Sequence, residues 1–367
     1  MDFILLAKNF HLMQKQSLLL LLLILLGCAK KEPTAVVQFV VHVERTQLRA
    51  APGENGKVLE ELVKGAILYD EGEVSDFTTP ITLHGIPYNE PWLKVRTNDG
   101  ITGWVYGGAL NFDSEHATAL TDMLMEKRLQ SMFGLELAGQ IANYRALWTK
   151  VQTEQDFAHA FRVGTKLRDT LTRVMEDRLP IQNPQELPDL FWLQQAVPGF
   201  VPQLVAEGTA YFLFWNFKSL AERAAKTDGV ADNQFIDLNL HIFPEDSIEY
   251  FFPAWVIQTW DYGGSSLLGR GIHASSLEKM DKALSNSTLF QAEILRMKTH
   301  LINDMTDSDV TYWETKDKIV EELDAIIQSN FAILTNTDKI ALTTRRLQFD
   351  EPEKHGIQLN MQAGENE

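Results

Sequence analysis

The chain of 367 residues holds a single cysteine, Cys28. One cysteine excludes an internal disulfide framework and any zinc or iron–sulfur site built on several cysteines. Basic residues are scarce as well: 33 Lys and Arg stand against 50 Asp and Glu, a formal net charge of −17. An acidic surface of this kind repels phosphate backbones, so no nucleic-acid partner is expected. The nine histidines fall at 11, 42, 84, 116, 159, 241, 273, 300 and 355, and none forms HxH or HExxH. That spacing offers no zinc hydrolase site and no metal site of other recognisable pattern. Also missing are a Gly-x-Ser-x-Gly elbow, a Ser-x-x-Lys set with its companion motifs, and a Gly-Lys-Ser/Thr phosphate loop. No internal repeat stands out.

What is present is globular material. Hydrophobic residues make up 45% and aromatic residues 10%, enough for a large core and against wholesale disorder. At this length two domains, or three small ones, are expected.

The apolar run Leu18–Leu26 follows Lys15 and reads as the h-region of an export signal, too short to span a bilayer at about 20 residues. Met13 makes a more usual start to its n-region than Met1. The run closes on Leu25-Leu26-Gly27-Cys28, which resembles the lipobox of bacterial lipoproteins. The resemblance implies cleavage between Gly27 and Cys28, acylation of Cys28 with chains such as palmitate, and a membrane anchor on the exported side of the cell envelope. The only cysteine would then be committed to lipid, which removes it from thiol catalysis. Loss of residues 1–27 takes away Asp2, Lys8 and Lys15 and leaves a chain too acidic to adhere to an anionic membrane by charge. Residues 28–35 read as a polar tether.

Residues 36–112 carry short β-branched stretches separated by turn residues, among them Val36–Val43, Ala66–Asp70, Trp92–Arg96 and Ile101–Tyr106. Asn98-Asp99-Gly100 supplies the turn of a hairpin. A further hairpin is expected at Ile81–Leu83 and Ile86, inside a Pro-containing stretch from Gly72 to Pro91. The pattern Leu48-Arg49 with Pro52, Val58-Leu59 with Leu62 and Gly65, Trp92 with Lys94-Val95, Gly100 with Gly103-Trp104-Val105, and Leu110 resembles the bacterial SH3-like domain. The resemblance implies a small β-barrel that binds cell-wall peptides or protein partners. Tyr88, Trp92 and Tyr106 are its candidate partner-binding aromatics.

Residues 113–349 turn to helical periodicity. Leu120, Leu124, Leu129 and Phe133 share one stripe, and Phe157, Phe161, Leu167, Leu171 and Val174 share another. Thr153–Asp156 and Ser275–Glu278 are expected to cap helices. Phe191–Phe217, with Glu207 its one charge and with Pro198, Gly199, Pro202 and Gly208 interrupting it, reads as two buried segments around a kink. An aromatic group with Trp255, Trp260 and Tyr262 precedes a Gly-rich stretch holding Arg270, and these four are candidates for a ligand pocket. Residues 350–367 read as a mobile polar tail.

The expected fold is therefore multi-domain: a small all-β SH3-like barrel at 36–112, followed by an all-α helical domain at 113–349. The expected function is that of a lipid-anchored, non-catalytic envelope protein without a cofactor. Its barrel would dock on cell-wall peptide or a partner protein, and its helical domain would act as scaffold. A peptidoglycan-acting enzyme, whose carboxylate pair cannot be picked out among so many acidic residues, and a small-ligand carrier remain the alternatives.

Overall fold

The computed structural model describes residues 38–83, 86–112, 119–179, 190–205, 210–244, 252–258 and 264–361. Cys28 and Gly27, and with them the export signal, lie outside these residues, as do Trp260 and Tyr262.

The first region is one antiparallel sheet. Its strands are β1 (Gln38–Val41), β2 (Arg45–Arg49), β3 (Val58–Val63), β4 (Ile67–Leu83), β5 (Ile86–Thr97), β6 (Thr102–Tyr106) and β7 (Leu110–Phe112), in the order β3-β2-β6-β5-β4-β1-β7. The alternation that marks β5 is used as expected: Leu93 and Val95 are buried, while Lys94 and Arg96 reach outward to Glu73 and Glu71 on β4. The expected hairpin at Leu83 and Ile86 is present as the tip of the β4–β5 pair. Gly103 is required where β6 crosses β2, because a Cβ there would stand 2.8 Å from the Arg49 carbonyl oxygen.

The sheet corrects the expected barrel. Closure needs the two outermost strands to pair, and β3 and β7 remain separate edges of an open sheet. Strand β4 runs 17 residues and its register slips twice, at Asp70/Val74 and Val74/Thr78, and its far half pairs with β5 alone as a bent arm. Short strands with regular turns occur in open sheets and barrels alike, and the sequence pattern does not say whether the edges meet.

Helices follow: α1 (Ala119–Thr149), α2 (Glu154–Arg178), α3 (Phe191–Ala196), α4 (Phe217–Ala224), α5 (Ala231–Ile242), α6 (Ile272–Asn286), α7 (Gln291–Thr306), α8 (Lys316–Gln328) and α9 (Asn336–Gln348). Gly134, at φ 82° and ψ 166°, breaks α1 into two helical stretches. The Thr153–Asp156 capping box is formed as expected at the start of α2.

Three further expectations are corrected. The region is not all-α: β8 (Phe200–Val205) pairs with β9 (Ala210–Trp215), and β10 (Val256–Gln258) pairs with β11 (Gly264–Ser266). The apolar stretch read as kinked buried segments is thus largely a hairpin laid on α2. Aromatic stacking fixes it there, with Trp215 against Phe161 at 4.6 Å and Phe200 at 4.1 Å. Second, α6 begins at Ile272, so Ser275 lies within the helix rather than at its cap. Third, the described part of the tail docks: Ile357 is buried, and the backbone N–H groups of Tyr312 and Asn360 donate to the carbonyls of Gln358 and Glu314. Polar composition concealed the two apolar anchors, Ile357 and the partly buried Leu359. One apolar core runs from the sheet into the helices, and none of the described helices is long and apolar enough to cross a membrane.

Candidate functional site

A groove of about 240 Å³ opens on the sheet region, lined by Arg45, Gln47 and Arg49 of β2, Glu54, Glu61 of β3, Trp92 of β5 and Tyr106 of β6, with Ile81 and Leu83 from the bent arm. The two rings stand 5.6 Å apart. The arm holds both: Trp92 Nε1 donates to Thr79 Oγ1 at 2.9 Å, and the Tyr106 hydroxyl donates to the Thr79 carbonyl at 2.7 Å. Burial pushes the Tyr106 phenol up to about 12, so it remains a donor at neutral pH.

The sequence expectation of exposed binding aromatics is corrected here. Trp92, Tyr106 and Tyr88 are each at most 3% exposed. The β4–β5 arm covers Trp92 and Tyr106, and only their edges reach the groove. Tyr88 lies apart from the groove lining, with the Arg128 guanidinium of α1 5.4 Å from its ring.

The polar wall was not foreseen. Arg49 lies 6.0 Å from the Trp92 ring and donates to Gln47 Oε1 and the Gly56 carbonyl, and among the described residues no carboxylate pairs with it. Arg45 is matched by Glu61 at 2.9 Å. Two arginines and two glutamates therefore face an aromatic floor. This is a surface that can donate to carbonyls or carboxylates and accept from amides, as an extended peptide requires. The Leu48-Arg49 dipeptide was the available signal: a strand with Leu48 buried turns Arg49 to the opposite face.

The second candidate group is not assembled as expected. Trp255 is buried and lines a separate cleft against α7. Arg270 is absent from that lining and instead donates to Glu314 at 2.7 Å. The Gly-rich stretch binds a carboxylate from its own chain: Glu322 accepts from the backbone N–H groups of Gly269, Gly271 and Ala274 at 2.6, 2.9 and 3.0 Å. Its anion-binding donors are occupied by this internal cap.

Near Trp255 the structure brings together Ser266, His273 and Asp304. Ser266 Oγ donates to Asp304 Oδ2 at 2.6 Å, and His273 Nε2 meets the same oxygen at 2.7 Å. In a nucleophile relay the carboxylate and the hydroxyl occupy opposite ring nitrogens. Here both lie at Nε2, while Nδ1 has no partner among the described residues. The trio is thus arranged to hold Asp304 rather than to activate Ser266. Among the described residues no group of three or more His, Cys, Asp or Glu is placed to hold a metal ion.

Comparison with known proteins gives no relative: no family model, no curated protein and no solved structure matches the chain.

Proposed function

We propose that this chain is a lipid-anchored, non-catalytic protein of the cell envelope that binds a peptide segment, from the cell wall or from a partner protein, in the groove over Trp92 and Tyr106. The helical region serves as the scaffold that fixes the sheet. The anchor reading rests on Leu25-Leu26-Gly27-Cys28 after a leucine-rich run. Two or more acyl chains would hold the protein where its net charge gives no help.

The observation that carries the binding reading is Arg49: a half-buried guanidinium beside the Trp92 ring, in an open groove, with no carboxylate partner among the described residues. A half-buried cation beside an aromatic can anchor a peptide carbonyl or carboxylate.

The test is co-sedimentation of the detergent-solubilised full chain with isolated sacculi, alongside titration with the soluble peptides released from them and with peptides of co-purifying envelope proteins. Binding is expected, and Arg49→Gln is expected to weaken it about tenfold at unchanged circular dichroism. Absence of binding to all three at physiological salt would remove this reading. The anchor is tested separately: Cys28→Ser should abolish palmitate labelling and release the protein from membranes, and continued labelling of the variant would refute the lipobox reading.

A further inference from the structure

The cleft against α7 has its own chemistry, independent of the sheet groove. Its volume is about 350 Å³, in the range of sites for small organic ligands. Phe243 at the end of α5, Trp255 and Met297 give it apolar walls. His300, Asn303, Asp304 and Asp307 line it from the last turns of α7 and the residue that follows, and among the described residues no lysine or arginine is part of the lining.

Asp304 is the pivotal group. Its Oδ2 is gripped from the protein side by Ser266 Oγ at 2.6 Å and His273 Nε2 at 2.7 Å, both from buried residues. Among the described residues its Oδ1 accepts no hydrogen bond, and no lysine or arginine pairs with it. A carboxylate only 12% exposed is thus oriented by one oxygen and left without a permanent counter-cation on the wall of a cleft. Such a charge favours a ligand cation that can donate to the open oxygen. Trp255 and Phe243 add aromatic surface suited to a cation on an apolar body. A metal ion fits less well, since among the described residues no three His, Cys, Asp or Glu are placed to hold one.

We propose that this cleft binds a small ligand carrying a primary ammonium group on an apolar body, with Asp304 as its counter-ion. The ammonium donates to Asp304 Oδ1, and the apolar body fills the space between Phe243, Trp255 and Met297. This assigns the helical region a ligand of its own beside its scaffold role.

The probe pair is phenethylamine and phenethyl alcohol, which share shape and differ in charge. Each is titrated into the full chain by calorimetry, with the change in intrinsic tryptophan fluorescence, lost in a Trp255→Phe variant, as a second readout. The amine is expected to bind saturably at one site, about tenfold or more tighter than the alcohol. Asp304→Asn should reduce amine binding about tenfold and leave alcohol binding unchanged. Because Asp304 also holds Ser266 and His273, Met297→Trp serves as a second variant: it fills the cleft without touching those contacts and should abolish binding while the circular dichroism stays that of wild type. Equal binding of the two probes, no amine binding at millimolar concentration, or amine binding that survives Met297→Trp would each overturn the proposal.

Discussion

Arg128 of α1 and Glu90 of β5 form an ion pair at 2.6 Å with neither side chain exposed to solvent. The guanidinium also donates to the carbonyls of Gly107 and Leu110 at 2.7 and 2.5 Å. One residue of the first helix thereby grips β5, the turn after β6 and β7 together. The tight turn is part of the device, since a Cβ on Gly107 would stand 2.9 Å from the Pro91 carbonyl oxygen and 3.0 Å from Glu90 Oε2. The pair is how the helices fix the sheet that carries the groove.

Removing either partner strands the other as a buried charge, which costs about 3–5 kcal/mol. Arg128→Met and Glu90→Leu are each expected to destabilise by that amount in urea unfolding. The double variant should cost at least about 2 kcal/mol less than the sum of the singles, because it removes both charges at once. It should remain below wild type, since the Gly107 and Leu110 carbonyls lose their donor. Additive singles would show that the two charges do not interact.

The internal cap on α6 gives a second expectation. Glu322→Ala deprives three backbone N–H groups of their acceptor, at about 2–3 kcal/mol after water recovers part of the loss. Glu322→Gln keeps one oxygen acceptor and should fall between. Hydrogen exchange at Gly269 and Gly271 should accelerate in Glu322→Ala ahead of the other amides. Unchanged exchange there would refute the capping role.

What could be read from the sequence follows how local each interaction is. The Thr153–Asp156 box spans four residues and forms as expected. The β5–β6 hairpin was legible because its turn residues and its alternation lie side by side. The cap of α6 was not, because Glu322 stands 48 residues or more from the groups it satisfies. The local pattern points instead to Ser275 with Glu278, which lies inside the helix. The burial of Trp92 and Tyr106 was not legible, because it depends on Thr79 in a bent arm whose register slips twice. Phe191–Phe217 was ambiguous for another reason: a continuous apolar run has no period to separate buried strand from buried helix. Asp304 carried no motif at all, and its surroundings come from three separate elements.

Acid sensitivity is expected at Glu314. Hydrogen bonds from Lys318 and Arg270 hold its carboxyl below the usual carboxylate range. A depressed value in the folded state means that the group stabilises the fold fully above its unfolded value of about 4.3, and that this contribution is lost as pH falls through the folded value. Wild type should therefore lose Tm more steeply than Glu314→Gln between about pH 5 and pH 3, with the two curves converging at the acid end. Parallel curves across that range would show that Glu314 is not a source of acid lability.

Gly164 sets two opposing effects against each other, and their sizes decide the outcome. It lies within α2, where replacing glycine by alanine ordinarily gains about 1 kcal/mol from helix propensity. A Cβ at this position, however, would meet Trp215 Cη2 at 2.6 Å and Tyr144 Cε2 at 2.9 Å. Neither ring can readily withdraw. Trp215 is packed between Phe161 and Phe200, and the Tyr144 hydroxyl donates to the Pro198 carbonyl at 2.8 Å. Forcing a methyl into such a core costs about 1–3 kcal/mol, with the upper part of the range appropriate to two immobile rings. Gly164→Ala is therefore expected to destabilise by about 1–2 kcal/mol net, against the helix-propensity trend. Pairing it with Trp215→Phe, which shortens the obstructing ring, should make the substitution markedly less costly. A stabilised Gly164→Ala variant would mean that the β8–β9 hairpin does not pack on α2 as closely as the rings indicate.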